Sequence, residues 1–258
     1  SKAVTILEDA PFFNAGRGAV FNADGKNELD ASIMDGNTLN AGAVAGVHNV
    51  RNPVLLARKV MTESVHVMLI GAGAEAFARE QGIAFEDDAW FHTDYRWEQL
   101  QKARAKAKET AASGGTPDTW LSTVGAVALD KDGNLAAATS TGGMTNKRWG
   151  RVGDVPVIGA GTYADNESCA VSATGHGEYF IRATVARDIC ARVQYTGASL
   201  QEAADQIVMQ KLVEMGGSGG IISLDPQGHV SLTFNTPGMY RASIDRDGRV
   251  YVGIYNDE

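Results

Sequence analysis

"TWLSTVGAVALDKDGNLAAATSTGG", residues 119–143, has the rhythm of a strand, a tight turn and a second strand. The Asp-Gly pair in "KDG" tolerates the positive φ of a hairpin turn, and the flanks are apolar and β-branched. Thr123 heads the first strand and Thr141 closes the second. Just upstream, "AKAKETAASGGTPD" loses all hydrophobic period, and its small and polar residues, with two glycines and a proline, mark a linker over about 109–122. A threonine therefore stands at the seam between loose chain and a strand.

That position has chemical meaning. A threonine hydroxyl is a weak nucleophile unless a base sits beside it. A cut just before the threonine frees an α-amino group whose reference pKa, about 7.7–8.0, leaves a useful neutral fraction. Nucleophile and base then share one residue. The linker can leave, while the strand holds the new terminus still. Read on spacing alone, Thr123 is better taken as a β-branched strand starter.

Outward from the hairpin, residues 1–9 read as a helix, ended by the irregular "APFFNAGRGAVFN". "ELDASIMDG" and "AGAVAGVHNV" read as strands. "NPVLLARKVMTES" reads as a capped amphipathic helix with Pro53 at its first position. "HVMLIG" predicts a buried strand and "GAEAFAREQG" a helix closed by Gly82. A helix over 97–108 carries Lys102, Arg104, Lys106 and Lys108 as a solvated face. Beyond the linker, "PVIGAGTYAD" and "CAVSATG" read as strands, "GEYFIRATVARDICARVQYTG" and "SLQEAADQIVMQKLVE" as two helices, "GGIISLDPQGHVSLTFN" as a second hairpin and "VYVGIY" as a last strand. Helices and hairpins on each side of the linker predict two sheets packed face to face with helices outside, a four-layer α+β architecture.

Composition narrows the function. The 258 residues, 44% of them hydrophobic, suffice for a sizeable core. A net charge of −8 argues against nucleic acid or an anionic membrane as partner. No run approaches the ~18 apolar residues of a membrane span. Two cysteines, Cys169 and Cys190, argue against a disulfide framework and for a reducing, cytoplasmic setting. "GAGAEA" (71–76) and "GAGTYA" (159–164) match a dinucleotide fingerprint only loosely, because neither is followed by a strand ending in an acid. Close helix-to-strand packing accounts better for these glycines. The five histidines do not cluster at metal-ligand spacing. His176 reads as structural or substrate-flanking, and no Gly-x-Ser-x-Gly elbow is present.

"STVGAVALDKDGNLAAATSTGGMTNKRWGRVGD" closely resembles the start of the β subunit in plant-type (type III) L-asparaginases with isoaspartyl peptidase activity, members of the N-terminal nucleophile hydrolases. "FNAGRGAVFN", "ELDASIMDG", "AGAVAGV", "NPVLLARKVM", "SATGHGE", "MGGSGG" and "FNTPGMYRA" extend the likeness over nearly the whole chain. The resemblance implies an αββα sandwich, made as one precursor that cuts itself between Ser122 and Thr123 into an α subunit (1–122) and a β subunit (123–258). It implies one structural domain, assembled as a dimer of αβ heterodimers.

Carried over by position, Thr123 matches the nucleophile and Thr141 the threonine that hydrogen-bonds it. Thr174 and Gly175 match the oxyanion hole. Arg151 and Asp154 match the pair that holds the substrate's α-carboxylate and α-amino group, and an Arg fork suits a carboxylate. Gly177 matches a carbonyl that helps hold the amino group, and Asn14 a supporting residue near the nucleophile. "LEDAPFFNAGR" matches a structural sodium loop built from carbonyls of Leu7, Glu8, Ala10, Phe13, Ala15 and Arg17; no catalytic cofactor is implied. The activity implied is hydrolysis of L-asparagine and of β-aspartyl dipeptides. The alternatives are a glycosylasparaginase-like hydrolase, an unprocessed and inactive precursor or assembly module, and, more distantly, a nucleotide-binding oxidoreductase.

Two departures accompany the likeness. Ser122 stands where the family usually has glycine, and serine resists backbone strain that glycine tolerates, which predicts slower self-cleavage. Family members also open with a glycine-rich strand and a long helix ahead of the position where this chain starts, so the sequence is expected to begin some way into the natural protein.

Overall fold

Helix α1 (Lys2–Asp9) leads into an irregular loop with one 3₁₀ turn at Gly16–Gly18. Strands β1 (Leu29–Asp35) and β2 (Ala41–Val47), helix α2 (Pro53–Glu63), strand β3 (Met68–Ile70) and helices α3 (Gly71–Glu80), α4 (Asp88–Phe91) and α5 (Asp94–Ser113) follow. The second half holds β4 (Val124–Leu129), β5 (Leu135–Thr141), β6 (Thr162–Ala164), β7 (Ala170–Gly175), α6 (Gly177–Ala183), α7 (Val185–Thr196), α8 (Leu200–Asp205), α9 (Leu212–Glu214), β8 (Gly219–Leu224), β9 (Val230–Ser231), β10 (Gly238–Ile244) and β11 (Val250–Tyr255). The computed structural model describes residues 1–113 and 123–256.

The first sheet runs β3-β2-β1-β5-β4 and the second β6-β7-β8-β9, with β10 and β11 as a separate pair. Pairing is antiparallel except between β2 and β3. Because side chains alternate along a strand, each strand serves two faces. On β5, Ala138 points outward into a core with Val4, Leu29, Val54, Leu56 and Val60 beneath α1 and α2. Leu135 and Ala137 point the other way, into a core with Met34, Ala164 and Ala170 between the sheets. On β7, Val171 and Ala173 face a third core with Phe180, Ile189 and Leu212 beneath the helices of the second half. Three cores separate four layers, αββα.

Several elements differ from the sequence expectation, each for a local reason. β3 is a short and largely exposed edge strand, where a buried one was predicted. Gly71 and Gly73 have open space around them, so close packing does not explain them; Gly71 instead supplies a φ of +49°. The helix predicted over 97–108 starts at Asp94 and runs to Ser113, into the predicted linker, since "ETAAS" carries good helix formers. Residues 114–122, with Ser122, lie outside the described residues. In "PVIGAGTYAD" only Thr162–Ala164 is strand. "GEYFIRATVARDICARVQYTG" is two helices, broken at Thr184, whose φ is +48°. The next helix opens on a capping box between Ser199 and Glu202 and passes through a π-helical stretch at Gln206–Lys211. Cys169 and Cys190, 21 residues apart and both fully buried, are joined by a disulfide with Cα atoms 5.2 Å apart, a pairing the cysteine count argued against.

Candidate active site

β4 and β5 pair with Val124 opposite Ser140 and Gly125 opposite Thr139, which sets Thr123 against Thr141. The Thr123 hydroxyl donates to Thr141 Oγ1 at 3.1 Å. Thr141 is buried, and its Oγ1 also accepts the Gly143 N–H at 3.0 Å. The turn after β5 therefore fixes Thr141, and Thr141 in turn fixes the Thr123 side chain.

Asn14 holds that turn. Its Nδ2 donates to the Gly143 carbonyl at 2.7 Å, its carbonyl accepts the Gly142 N–H at 3.0 Å, and its Oδ1 accepts the Val20 N–H at 2.9 Å. Asn14 is thus linked to Thr123 through Gly143 and Thr141. Across the sandwich, β4 packs on β7, whose end carries half-buried Thr174 and buried Gly175. A Cβ on Gly175 would stand 2.5 Å from the Phe180 ring and 2.6 Å from the Ser218 carbonyl, so only glycine fits.

Arg151, Asp154 and Gly177 come together beside this turn. A Cβ on Gly177 would lie 2.8 Å from both Arg151 Nη2 and Asp154 Oδ1, and one on Gly143 would lie 3.5 Å from Arg151 Nη1. Asp154 is buried, its Oδ2 has no hydrogen-bond partner among the described residues, and burial pushes its carboxyl up to about 7. Arg151 donates from Nε and Nη2 to the two Glu178 oxygens, each at 2.9 Å. Burial works against the charged Glu178, but Arg151 outweighs it and holds that carboxyl below its usual range. His176 Nε2 lies 3.3 Å from Glu178 Oε2, so His176 flanks the cluster.

Three charged residues here were not singled out from the sequence. Glu178 is one. Asp30 pairs with Thr141 across β1 and β5, is fully buried, and accepts the Gly46 N–H at 2.8 Å; burial raises its pKa, opposed by Lys147. Lys147 is itself buried, with Nζ 2.9 Å from the Glu28 carbonyl and 3.2 Å from the Cβ position of Gly143. A signal for Asp30 existed: an acid at an inward position of an otherwise apolar strand is costly unless it has a task.

The loop 7–18 lies one layer out. The Glu8 and Phe13 carbonyls fill the places that Cβ atoms on Gly16 and Gly18 would take, so the loop folds tightly on itself there. The Leu7 and Ala15 carbonyls accept the Ala10 and Gly18 N–H groups at 3.3 and 3.1 Å. Ala10 caps α1 and Arg17 lies over the Trp90 ring. The Glu8 side chain also matters: Oε1 accepts the Ser140 hydroxyl at 2.6 Å and the Val54 N–H at 3.0 Å, and burial raises its carboxyl to about 7. Among the described residues no cluster of three His, Cys, Asp or Glu side chains could hold a metal, and no helix is long and apolar enough to cross a membrane.

The family model described as asparaginase matches residues 1–254. An isoaspartyl peptidase from Escherichia coli (strain K12) is 56% identical, with 100% of this chain and 81% of that protein covered. An isoaspartyl peptidase/L-asparaginase from Xenopus laevis is 42% identical, with 100% and 81% covered. One from Bos taurus is 44% identical, with 98% and 80% covered.

Proposed function

The chain belongs to the asparaginase family of N-terminal nucleophile hydrolases, and from that premise we propose a self-cleaving enzyme that hydrolyses L-asparagine and β-aspartyl dipeptides. As a threonine-nucleophile amidohydrolase it needs a hydroxyl, a base and an anion-stabilising site. The single observation that supports this reading is the Thr123–Thr141 contact at the head of β4, held by Gly143 and Asn14.

Cleavage of the Ser122–Thr123 bond frees the α-amino group of Thr123. In its neutral form that amine takes the hydroxyl proton, and Oγ1 attacks the side-chain carbonyl carbon of the substrate. Thr174 and Gly175 stabilise the oxyanion. The leaving amine departs with the proton, as ammonia or as an amino acid, and water then hydrolyses the acyl-threonine. Glu178 occupies the Nε and one Nη2 proton of Arg151, which leaves the Nη1 end of the fork for the substrate's α-carboxylate. Asp154 and the Gly177 carbonyl take the α-ammonium group.

A sodium ion on the carbonyls of Leu7, Glu8, Ala10, Phe13, Ala15 and Arg17 belongs to the same proposal. When bound it supplies structural charge and no reaction step, and the loop it would brace carries Asn14. Pairing as a dimer of αβ heterodimers is also proposed, with sedimentation as its measure. So is a cytoplasmic setting. The Cys169–Cys190 link pulls against that setting, and a count of free thiols on protein quenched by alkylation decides it.

Intact mass and terminal sequencing of the purified protein test the core of the reading. Two polypeptides are expected, the second starting at Thr123, with release of ammonia from L-asparagine and of free amino acid from β-aspartyl dipeptides. An active enzyme whose mature chain starts elsewhere overturns the nucleophile assignment.

A further inference from the structure

Between the sheets, the row of residues just behind Thr123 and Thr141 is made of hydroxyls. In the first sheet Gly125, Thr139 and Ser32 are consecutive cross-strand partners on β4, β5 and β1. In the facing sheet Thr162 and Ser172 are partners on β6 and β7. Thr139 Oγ1 lies 2.5 Å from Thr162 Oγ1 and 2.7 Å from Ser172 Oγ. Ser32 Oγ stands 2.7 Å from Thr162 Oγ1 and 2.5 Å from the Val155 carbonyl. Ser172 Oγ occupies the place that a Cβ on Gly125 would take. All four hydroxyl residues are at most 4% exposed.

Such a row is an odd choice for stability. Buried hydroxyls must find partners to recover their desolvation cost, and small apolar side chains would fill the space without it. One step further from the site the same inter-sheet space is apolar, with Met34, Ala137, Ala164 and Ala170. Among the described residues, this hydroxyl row therefore lies between the site and that apolar core. Three of its five strands reach a site residue two positions on: Gly125 to Thr123, Thr139 to Thr141, and Ser172 to Thr174. Hydrogen bonds fix distance and direction, whereas apolar faces can slide past one another.

We infer that the Thr139–Thr162–Ser172–Ser32 row, with Gly125, is a positioning device that sets the spacing between the Thr123–Thr141 pair on one sheet and Thr174–Gly175 on the other. The inference rests on the proposed threonine chemistry. An oxyanion gains full stabilisation only with donors about 2.7–3.1 Å away, and a misplacement of about 1 Å costs on the order of 100-fold. The residues in the row touch no substrate. Their loss acts on a contact made in the transition state, so kcat falls while KM stays.

The test compares Thr139→Val, Thr139→Ser and Gly125→Ala with the parent. It reads kcat and KM for L-asparagine per mature Thr123 terminus, counted by terminal sequencing, and melting temperature alongside. Thr139→Val and Gly125→Ala are expected to lose roughly tenfold or more in kcat with KM within about threefold, and Thr139→Ser to recover most of the loss. If Thr139→Val melts earlier yet keeps the parent kcat per terminus, the row only stabilises the fold and the inference is overturned. Where Thr139→Val fails to mature, Ser172→Ala, which removes one hydroxyl and almost no volume, decides on the same criterion. A parent that hydrolyses neither substrate removes the reading beneath the inference, and the inference goes with it; a working parent beside an unchanged variant sinks the inference alone.

Discussion

Thr141 Oγ1 accepts two hydrogen bonds, one from the Thr123 hydroxyl at 3.1 Å and one from the Gly143 N–H at 3.0 Å. Two donors converging on one oxygen leave the Thr141 proton to point elsewhere, and they hold Thr123 Oγ1 on a line set by backbone. On the proposed reading, Thr141 orients the nucleophile and the amine of Thr123 is the base.

Thr141→Val keeps the shape of the residue and removes the acceptor. With one buried hydrogen bond gone and the Gly143 N–H left unpaired, about 1–3 kcal/mol of orientation is lost, roughly 5- to 150-fold in kcat. Thr123→Ala is expected to abolish both self-cleavage and hydrolysis, while Thr123→Ser keeps some of each. Steady-state kinetics and a denaturing gel read both. Full activity in Thr141→Val would remove Thr141 from the site.

Asp154 makes a pH prediction. Burial raises its carboxyl to about 7, and it must be ionised to hold an ammonium group. The Thr123 amine, with a reference value of about 7.7–8.0, must be neutral to act as base. Below pH 7 both groups of the free enzyme bind a proton, and both protonated forms are unproductive. The logarithm of kcat/KM should therefore fall with a slope approaching two per pH unit, and Asp154→Asn should be less active with a slope of one. A parent slope of one down to pH 5.5 would mean that Asp154 does not take the substrate's ammonium group.

Glu8 gives a stability prediction of defined sign. Its carboxyl is raised from 4.5 to about 7 by burial, so between those values the folded chain binds a proton that the unfolded chain has released. The stability this group contributes is fully present below the unfolded value and is lost as pH rises through about 7. A shift of this size corresponds to about 3 kcal/mol. Glu8→Gln keeps an acceptor for Ser140 and Val54, and should melt with a flatter pH profile than the parent between pH 4.5 and 7. Identical profiles would show that Glu8 ionises normally in the folded protein.

How much of this was legible in the sequence depended on the range of the interaction. The β4–β5 hairpin and Thr123 at its head follow from alternation and one Asp-Gly turn, which are local signals. The αββα order follows from helices and hairpins recurring on each side of one linker. What stayed hidden needs two distant segments at once. Glu178 grips Arg151 from 27 positions away, Glu8 reaches Ser140 across 132, and Thr139 meets Ser172 across the sandwich. The helix break at Thr184 and the exposure of β3 escape periodicity for the same reason, because tertiary packing sets both.

The last prediction separates an amino-acid hydrolase from a general amidase. The proposed substrates carry a free α-carboxylate, and Arg151 is the cation beside Asp154 and Gly177, with a side chain 18% exposed. The adjoining Arg148 is exposed and serves as the control. Removing one member of a buried, hydrogen-bonded charge pair costs about 2–5 kcal/mol, roughly 30- to several-thousand-fold in affinity. Replacing a surface arginine costs less than about 0.5 kcal/mol. Arg151→Ala should lose most hydrolysis of L-asparagine at sub-saturating concentration. Self-cleavage at Thr123 should survive, since the precursor's own scissile bond is not held through an α-carboxylate. Arg148→Ala should change neither. If Arg151→Ala hydrolyses L-asparagine as well as the parent does, the carboxylate is held elsewhere and the substrate class proposed for this site is wrong.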